Sequence, residues 1–209
     1  MKNLLTLSLG LVMIVSCGQS RTSTDNNVTY DLVGVEFYNE FIPCVGGSDF
    51  NQESVANMMQ GWRSLNISDD LLGAWGYIPA SEESRFENGW WELQWESKED
   101  ADAAWNEWTQ DEEAIAFLAD HESVMVCDGE ARSAWNYTFH RDVESFGPQS
   151  EDGSFYTKFF PCRYNDEKSS DDLMASIALY NTWLDGLGRT GFYAYGKYAG
   201  DGADELEGL

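Results

Sequence analysis

The sequence predicts an α+β fold made of tandem copies of a β-α-β-β-α-β unit, with the second copy truncated after its second strand. An internal repeat and an alternation of strand-like and helix-like segments within its first copy predict this architecture. Composition adds that the chain must fold, because its 209 residues are 43% hydrophobic and 14% aromatic. That is too apolar for a disordered chain, even with a net charge of −25.

The repeat is carried by a short aromatic motif. FYNEFIPC, beginning at Phe37, recurs as FYTKFFPC, beginning at Phe155, at an offset of 118 residues. Without any gap, the same offset pairs Val55 with Leu173, Met59 with Ile177, Trp62 with Tyr180, Leu65 with Trp183, Gly73 with Gly191 and Tyr77 with Tyr195. The first four pairs fall on one face of an amphipathic helix, so the repeat preserves a core-facing stripe.

The first copy divides into six successive segments. Strands are predicted at 35–44, 74–80, 90–96 and 123–127. A first helix is expected to start at Asp49, with Gln52 completing the start signal, and to end near residue 66. A second, long helix starts at Ser97 with Asp100 and extends through Leu118. The third strand, WWELQWE, places Trp91, Leu93 and Trp95 on one face and Trp90, Glu92, Gln94 and Glu96 on the other.

This element order is the ferredoxin-like plan, an antiparallel sheet with helices on one face. Together with the aromatic third strand and the long acidic second helix, it resembles the dimeric α/β-barrel superfamily, which includes stress-responsive barrel proteins, NIPSNAP-like proteins and antibiotic-biosynthesis monooxygenases. The resemblance covers 35–145 once and 153–209 in part, without a diagnostic motif. It implies two units packed sheet to sheet as an α/β barrel with ligand between them, and it transfers no catalytic residue.

The N-terminal segment resembles a bacterial lipoprotein signal. Lys2 precedes a mostly apolar run at 4–15, and Ile14-Val15-Ser16-Cys17 follows. The resemblance implies a lipid on Cys17 that anchors the protein to a membrane of the bacterial cell envelope, as a periplasmic or outer-membrane lipoprotein. The alternatives are an ordinary secretory signal, which gives a secreted protein, and an uncleaved anchor.

The predicted organisation has five parts. They are a lipoprotein signal peptide at 1–17, a flexible tether at 18–30, a first ferredoxin-like repeat at 31–128, a linker at 129–152 in which 134–141 can form an extra strand, and a partial second repeat at 153–209. Because the second copy stops where its third strand would begin, we expect the sequence to be a fragment of a longer reading frame. The alternative is a half-repeat completed by another protomer in a homo-oligomer.

The cysteines predict one disulfide. In the 4-1-3-2 strand order of the ferredoxin-like plan, the first and fourth strands are antiparallel neighbours, which brings Cys44 close to Cys127. Exported compartments permit the bond, and two buried free thiols are the alternative. Cys162, the repeat equivalent of Cys44, then lacks a partner. With no CxxC pair and only His121 and His140 available, no metal site and no cofactor are predicted.

The candidate ligand pocket is the sheet face turned away from the helices. If the helices cover the face of Phe37, Asn39 and Phe41, the residues turned into the barrel are Tyr38, Glu40, Tyr77, Glu92 and Gln94, joined by Tyr156, Lys158 and Tyr195 from the second copy. Glu40 and Lys158 occupy equivalent positions, and a pseudo-twofold axis would bring them together as a pair. An aromatic cavity with a few polar groups suits a small ligand.

Three functions are compatible with this pattern. The first is an exported small-molecule-binding module, and the second is a cofactor-independent oxygenase or lyase-like enzyme with Glu40 or Glu92 as general base. The third is a structural envelope lipoprotein whose aromatic residues form a filled core. The strongly acidic composition excludes nucleic acid as an expected partner. The negative charge is expected to keep the protein soluble. The alternative is that it attracts a cation or a basic partner.

Overall fold

The computed structural model describes residues 32–80, 89–141, 155–160, 162–187 and 194–200. The strands are β1 (Glu36–Gly46), β2 (Leu71–Tyr77), β3 (Gly89–Trp95), β4 (Met125–Cys127), β5 (Ser133–Arg141) and β6 (Tyr195–Gly200). The helices are α1 (Gln52–Arg63), α2 (Lys98–Trp108), α3 (Glu112–Asp120) and α4 (Ser170–Gly186). These residues form an α+β fold in which six strands make one antiparallel sheet. The predicted signal, its Cys17 and the tether lie outside the described residues.

The strand order is β2-β3-β1-β5-β6, and β4 also pairs with β1. The short β4 pairs with the last three residues of β1, while β5 pairs with its first six, from Glu36 to Phe41. Both strands therefore lie along the same edge of β1, separated by the turn at 128–132. The predicted antiparallel pairing of the first and fourth strands is confirmed. The segment expected to be able to form an extra strand lies within β5.

A disulfide joins Cys44 to Cys127, which face each other in the β1–β4 ladder with their Cα atoms 4.0 Å apart. The bond closes a sequence separation of 83 residues. The pairing predicted from the sequence is therefore present, and Cys162 is a free, exposed thiol.

The main hydrophobic core lies between the sheet and the first two helices. β1 and β3 contribute alternate residues, and the helices contribute a few small or flexible side chains. The principal members are Tyr38, Ile42, Cys44, Trp91, Leu93, Trp95, Met58, Met59, Ala101 and Ala104. The predicted alternation along the third strand is correct, because the Trp91 row faces the helices.

Two predicted helix boundaries are wrong because other side chains form the caps. Asn51, and not Asp49, caps α1, because its side-chain oxygen accepts hydrogen bonds from the N–H groups of Glu53 and Ser54. The predicted long second helix is divided into α2 and α3. Asp111 caps α3, because its side chain accepts hydrogen bonds from the N–H groups of Glu113 and Ala114 in the first turn of that helix.

The predicted second strand is displaced by three residues toward the N-terminus. β2 starts at Leu71, which pairs with Trp95, and ends at Tyr77, which pairs with Trp90. The prediction extended the strand over Pro79, which has no N–H to donate to a ladder.

The second copy repeats the first helix but not the first strand. α4 begins 118 residues after α1, and Asp172 completes its cap by accepting a hydrogen bond from the Ser169 N–H. Residues 155–160, the equivalent of β1, form no strand. β6 instead pairs with β5 and extends the sheet of the first copy. Within the described residues, no helix has the length and hydrophobicity needed to cross a bilayer.

Candidate functional site

The helices cover the face of β1 opposite to the one predicted. Tyr38 belongs to the core beneath α1 and α2, and Glu40 is on the same side, with 2% of its surface exposed. Its carboxylate accepts hydrogen bonds from the indole Nε1 atoms of Trp95, at 3.1 Å, and Trp105, at 2.6 Å. The predicted pocket positions of Tyr38 and Glu40 are therefore wrong, because the helix-side core lies over this row.

Glu40 forms its ion pair with Arg132 and not with Lys158. The Nε atom of Arg132 lies 2.8 Å from Oε1 of Glu40, and the guanidinium stacks over the Trp105 ring at 4.7 Å. Lys158 is exposed. The predicted pair across a pseudo-twofold axis is thus replaced by a contact between the first copy and the predicted linker.

A second buried carboxylate, Glu92, lies on the other face of the sheet, with 1% of its surface exposed. It accepts hydrogen bonds from Asn39 Nδ2 at 2.6 Å, from Tyr77 Oη at 2.5 Å and from Tyr198 Oη at 2.6 Å. Gln94 donates in turn to Asn39 Oδ1 at 3.3 Å. Three predicted pocket residues, Tyr77, Glu92 and Gln94, therefore do come together.

Asn39 and Tyr198 complete this cluster, although the sequence did not indicate them. The sequence predicts Asn39 on the helix-covered face of β1. Tyr198 lies in β6, and the strand beside β6 is fixed by long-range packing that the local sequence does not specify. Placing Tyr198 in this cluster requires knowing that it pairs directly with Tyr137 in the β5–β6 ladder.

Burial determines the electrostatics around Glu92. It raises the pKa of the Glu92 carboxyl, and the hydrogen bonds from Tyr198, Tyr77 and Asn39 oppose that rise. Burial, and then the charge of Glu92, also raise the pKa values of Tyr77, Tyr137 and Tyr198. The phenols hence stay protonated, and Tyr77 and Tyr198 remain hydrogen-bond donors to the carboxylate.

Aromatic rings from 155–160 close this face. Phe159 packs against Phe41 at 5.8 Å, against Tyr77 at 5.7 Å and against Tyr198 at 5.9 Å between ring centroids. Phe155 lies 6.2 Å from the Tyr77 ring, nearly perpendicular to it. The face expected to enclose a cavity is filled around Glu92 by side chains of the same chain.

The remaining predicted pocket residues lie elsewhere. Tyr156 is 75% exposed and Lys158 is exposed, because 155–160 turns Phe155 and Phe159 inward. Tyr195 is separate from Glu92 and donates a hydrogen bond to Asn181 of α4 at 2.8 Å. The placements of Tyr156, Lys158 and Tyr195 in one pocket with Glu92 are therefore wrong.

A cavity of about 360 Å³ does exist, on the helix side, between the start of α1 and the ends of β2 and β3. Its wall is mainly apolar and aromatic. The described wall residues are Cys44, Gly46, Phe50, Asn51, Gln52, Val55, Ala56, Met59, Gly76, Tyr77, Ile78, Pro79, Gly89, Trp90, Trp91 and Met125. None of these residues carries a charge, and Asn51 directs its side-chain oxygen to the α1 cap.

The two histidines lie apart from both the cavity and the Glu92 cluster. His121 follows α3, and its Nδ1 lies 2.8 Å from the Phe117 carbonyl oxygen. His140 is buried in β5, where burial and the nearby Lys197 charge lower its pKa. Across the described ranges, no group of three or more His, Cys, Asp or Glu side chains is placed to hold a metal ion.

No protein-family model, curated protein or solved structure matches this chain. Its function is therefore inferred from the chemistry of its own residues.

Proposed function

We propose that this protein is an exported lipoprotein that binds a small, uncharged, apolar ligand in the cavity between α1, β2 and β3. The observation that carries the proposal is the cavity itself, whose volume of about 360 Å³ lies within the range of ligand sites. Trp91, whose side chain belongs to the helix-side core, supplies flat aromatic surface in its wall. Such a wall suits a ring-containing or branched apolar molecule.

The charge pattern defines the ligand further. A charged ligand in this cavity would lose its hydration without gaining an ion pair, because the described wall holds no charged side chain. An uncharged ligand avoids that cost. The side chain of Asn51 is engaged at the α1 cap, so the polar wall residue that can orient a hydroxyl or carbonyl is Gln52.

Catalysis is less well supported than binding. Glu40 is held by two indole N–H groups and an ion pair with Arg132, and Glu92 is held by three donors beneath aromatic rings. A general base needs a substrate proton within hydrogen-bond reach. Both proposed bases instead accept their hydrogen bonds from donors of the protein, so the enzyme alternative has less support than binding.

A structural envelope lipoprotein is the second candidate, and one observation favours it. The sheet face around Glu92 is filled by Phe155 and Phe159, as a protein without a ligand between its sheets would require. Ligand binding in the α1 cavity distinguishes the two candidates, because a purely structural protein should bind no ligand there.

The finer architecture is also a proposal. The order β2-β3-β1-β4 and the placement of α1 and α2 on one face support a ferredoxin-like plan for the first copy. The repeated helix start supports a tandem arrangement related to the α/β barrels. The pairing of β6 with β5 favours a version in which part of the second copy joins the first sheet.

Export with lipidation at Cys17 is supported by the signal-like N-terminal sequence and by the disulfide. Labelling of expressing bacteria with a radioactive or clickable palmitate tests it, with Cys17→Ala as the comparison. We expect label on the native chain and none on the variant. Equal labelling of both chains would refute lipidation at this cysteine.

The ligand proposal is tested with N-phenyl-1-naphthylamine, an uncharged apolar fluorophore. Gly76 lies in the cavity wall, and a Cβ placed there would meet nothing within 4 Å, so Gly76→Leu fills the space without a clash at its first atom. Gly186→Leu on α4 is a matched control, since its Cβ also meets nothing within 4 Å and it is not a wall residue. We expect saturable fluorescence with the native chain and Gly186→Leu, and its loss in Gly76→Leu.

A further inference from the structure

Among the residues that the structure describes, the buried carboxylate of Glu92 has only neutral hydrogen-bond donors. Its three hydrogen-bond donors are one amide and two phenols. No ion pair formed within the described ranges includes Glu92, whereas the equally buried Glu40 has Arg132. A buried negative charge without a cationic partner gains from any cation that reaches it.

The same carboxylate lies within a group of aromatic rings. Phe41 and Tyr198 lie 5.3 Å apart, and Tyr198 and Tyr137 lie 4.5 Å apart, while Tyr77 completes the group beside Phe41 at 6.4 Å. We call these four residues the ring cluster. Aromatic faces attract cations electrostatically, and methylated ammonium groups are recognised by several rings together. Rings around a carboxylate form a chemical environment suited to an organic cation.

Phe159 occupies the middle of this environment. Its ring contacts three members of the ring cluster, Phe41, Tyr77 and Tyr198. The residue belongs to a segment that forms no strand and that directs Tyr156 and Phe160 outward, 75% and 73% exposed. A ligand that displaces one ring therefore leaves the sheet and its ladders intact.

We propose that Glu92 and the ring cluster form a binding site for a small organic cation, a quaternary or methylated ammonium group, which takes the place of the Phe159 ring. The site is on the sheet face away from the helices, and neither Glu92 nor Phe159 is a wall residue of the α1 cavity. Phe159 acts as an internal occupant that competes with the cation. The carboxylate supplies the charge, and the rings supply a surface that hydrated metal ions do not prefer.

The test uses two probes of nearly equal shape, choline and its neutral analogue 3,3-dimethylbutan-1-ol, in calorimetric titrations of the mature chain. Phe159→Ala removes the competing ring, and we expect it to raise choline affinity about tenfold over the native chain. Glu92→Gln in the Phe159→Ala background should reverse that gain for choline and leave the neutral analogue unchanged. Phe160→Ala, which truncates the exposed neighbouring ring, is the matched control and should change neither titration.

The proposal is overturned if the two probes bind equally, if choline does not bind Phe159→Ala, or if Glu92→Gln leaves choline binding intact. Phe159→Leu keeps most of the apolar volume and replaces Phe159→Ala if that variant does not fold. A second readout is the melting temperature of the native chain, which choline should raise and the neutral analogue should not. Because the α1 cavity is probed with a different, uncharged molecule, failure here is distinguishable from failure of the apolar site.

Discussion

Glu40 and Glu92 occupy adjacent positions on neighbouring strands yet lie on opposite faces of one sheet. Glu92 pairs with Phe41 in the β1–β3 ladder, and Glu40 pairs with Leu93. Both side chains are almost fully buried. Glu40 forms an ion pair with Arg132, whereas each donor to Glu92 in the described part of the chain is neutral. The two carboxylates should therefore respond differently to substitution and to pH.

Arg132→Ala should destabilise the fold by about 1–3 kcal/mol, because it leaves the Glu40 charge buried with only its indole donors. The lower end applies because the Arg132 side chain is 31% exposed. Lys168→Ala removes an exposed i,i+4 pair with Asp172 and should leave the free energy of unfolding nearly unchanged. Chemical denaturation of both variants checks this, and equal losses would contradict a special role for Arg132.

Glu92→Gln should alter how stability depends on pH. Burial raises the folded-state pKa of Glu92 above its ordinary value, so its favourable contribution is fully present below the unfolded pKa and is lost as pH rises through the folded pKa. The melting temperature of the native chain should thus fall relative to that of Glu92→Gln as pH rises from acidic to neutral or alkaline values. Parallel melting curves at all pH values would contradict the account.

The same titration should govern cation binding. Choline affinity of Phe159→Ala should increase with pH until Glu92 is ionised, because only the carboxylate attracts the cation. The other groups facing Glu92 are Asn39 from β1, Tyr77 from β2, Tyr137 from β5 and Tyr198 from β6. The tyrosines remain neutral because their pKa values are raised. Calorimetry across pH checks this, and a flat profile would assign the binding to the rings alone.

Removing the disulfide should be costly. Replacing Cys44 and Cys127 together by Ser should lower the free energy of unfolding by about 2–5 kcal/mol, because the bond closes a long loop. Cys162→Ser is the control and should be neutral within about 0.5 kcal/mol, since that thiol is free and exposed. Guanidinium denaturation under non-reducing conditions gives both values. A neutral double substitution would mean that the fold does not depend on the bond.

The sequence predicted the features that depend on local patterns. The period-two alternation of WWELQWE correctly placed Trp91, Leu93 and Trp95 toward the helices. The pairing of Cys44 with Cys127 followed from strand order alone. These features are predictable because a strict alternation or a fixed strand order leaves few alternatives.

The orientation of β1 could not be predicted from its own residues. Both of its faces carry one polar side chain between apolar ones, Asn39 on one and Glu40 on the other. The choice is made by distant partners, because Trp105 and Arg132 satisfy Glu40 on the helix side. These partners lie 65 and 92 residues from Glu40 in the sequence, so the local pattern of β1 cannot predict them.

The second copy shows the same limit. FYNEFIPC is a central strand between β3 and β5, but residues 155–160 of its repeat serve as an aromatic cover over the first sheet. A strand needs neighbours with free ladder groups, and tertiary context overrides local similarity. In the described structure β6 pairs with the β5 edge, and the repeated motif packs through its side chains.

The most direct test of the proposed ligand site is a nuclear magnetic resonance titration of the tryptophan indole N–H signals with N-phenyl-1-naphthylamine. We expect a saturable shift of the Trp91 signal, whose side chain lies on the helix side in the cavity wall, and no comparable shift of the exposed Trp183 on α4. This shift should disappear in Gly76→Leu and persist in Gly186→Leu. Shifts confined to Trp183, or the same Trp91 shift in Gly76→Leu, would contradict binding in the α1 cavity.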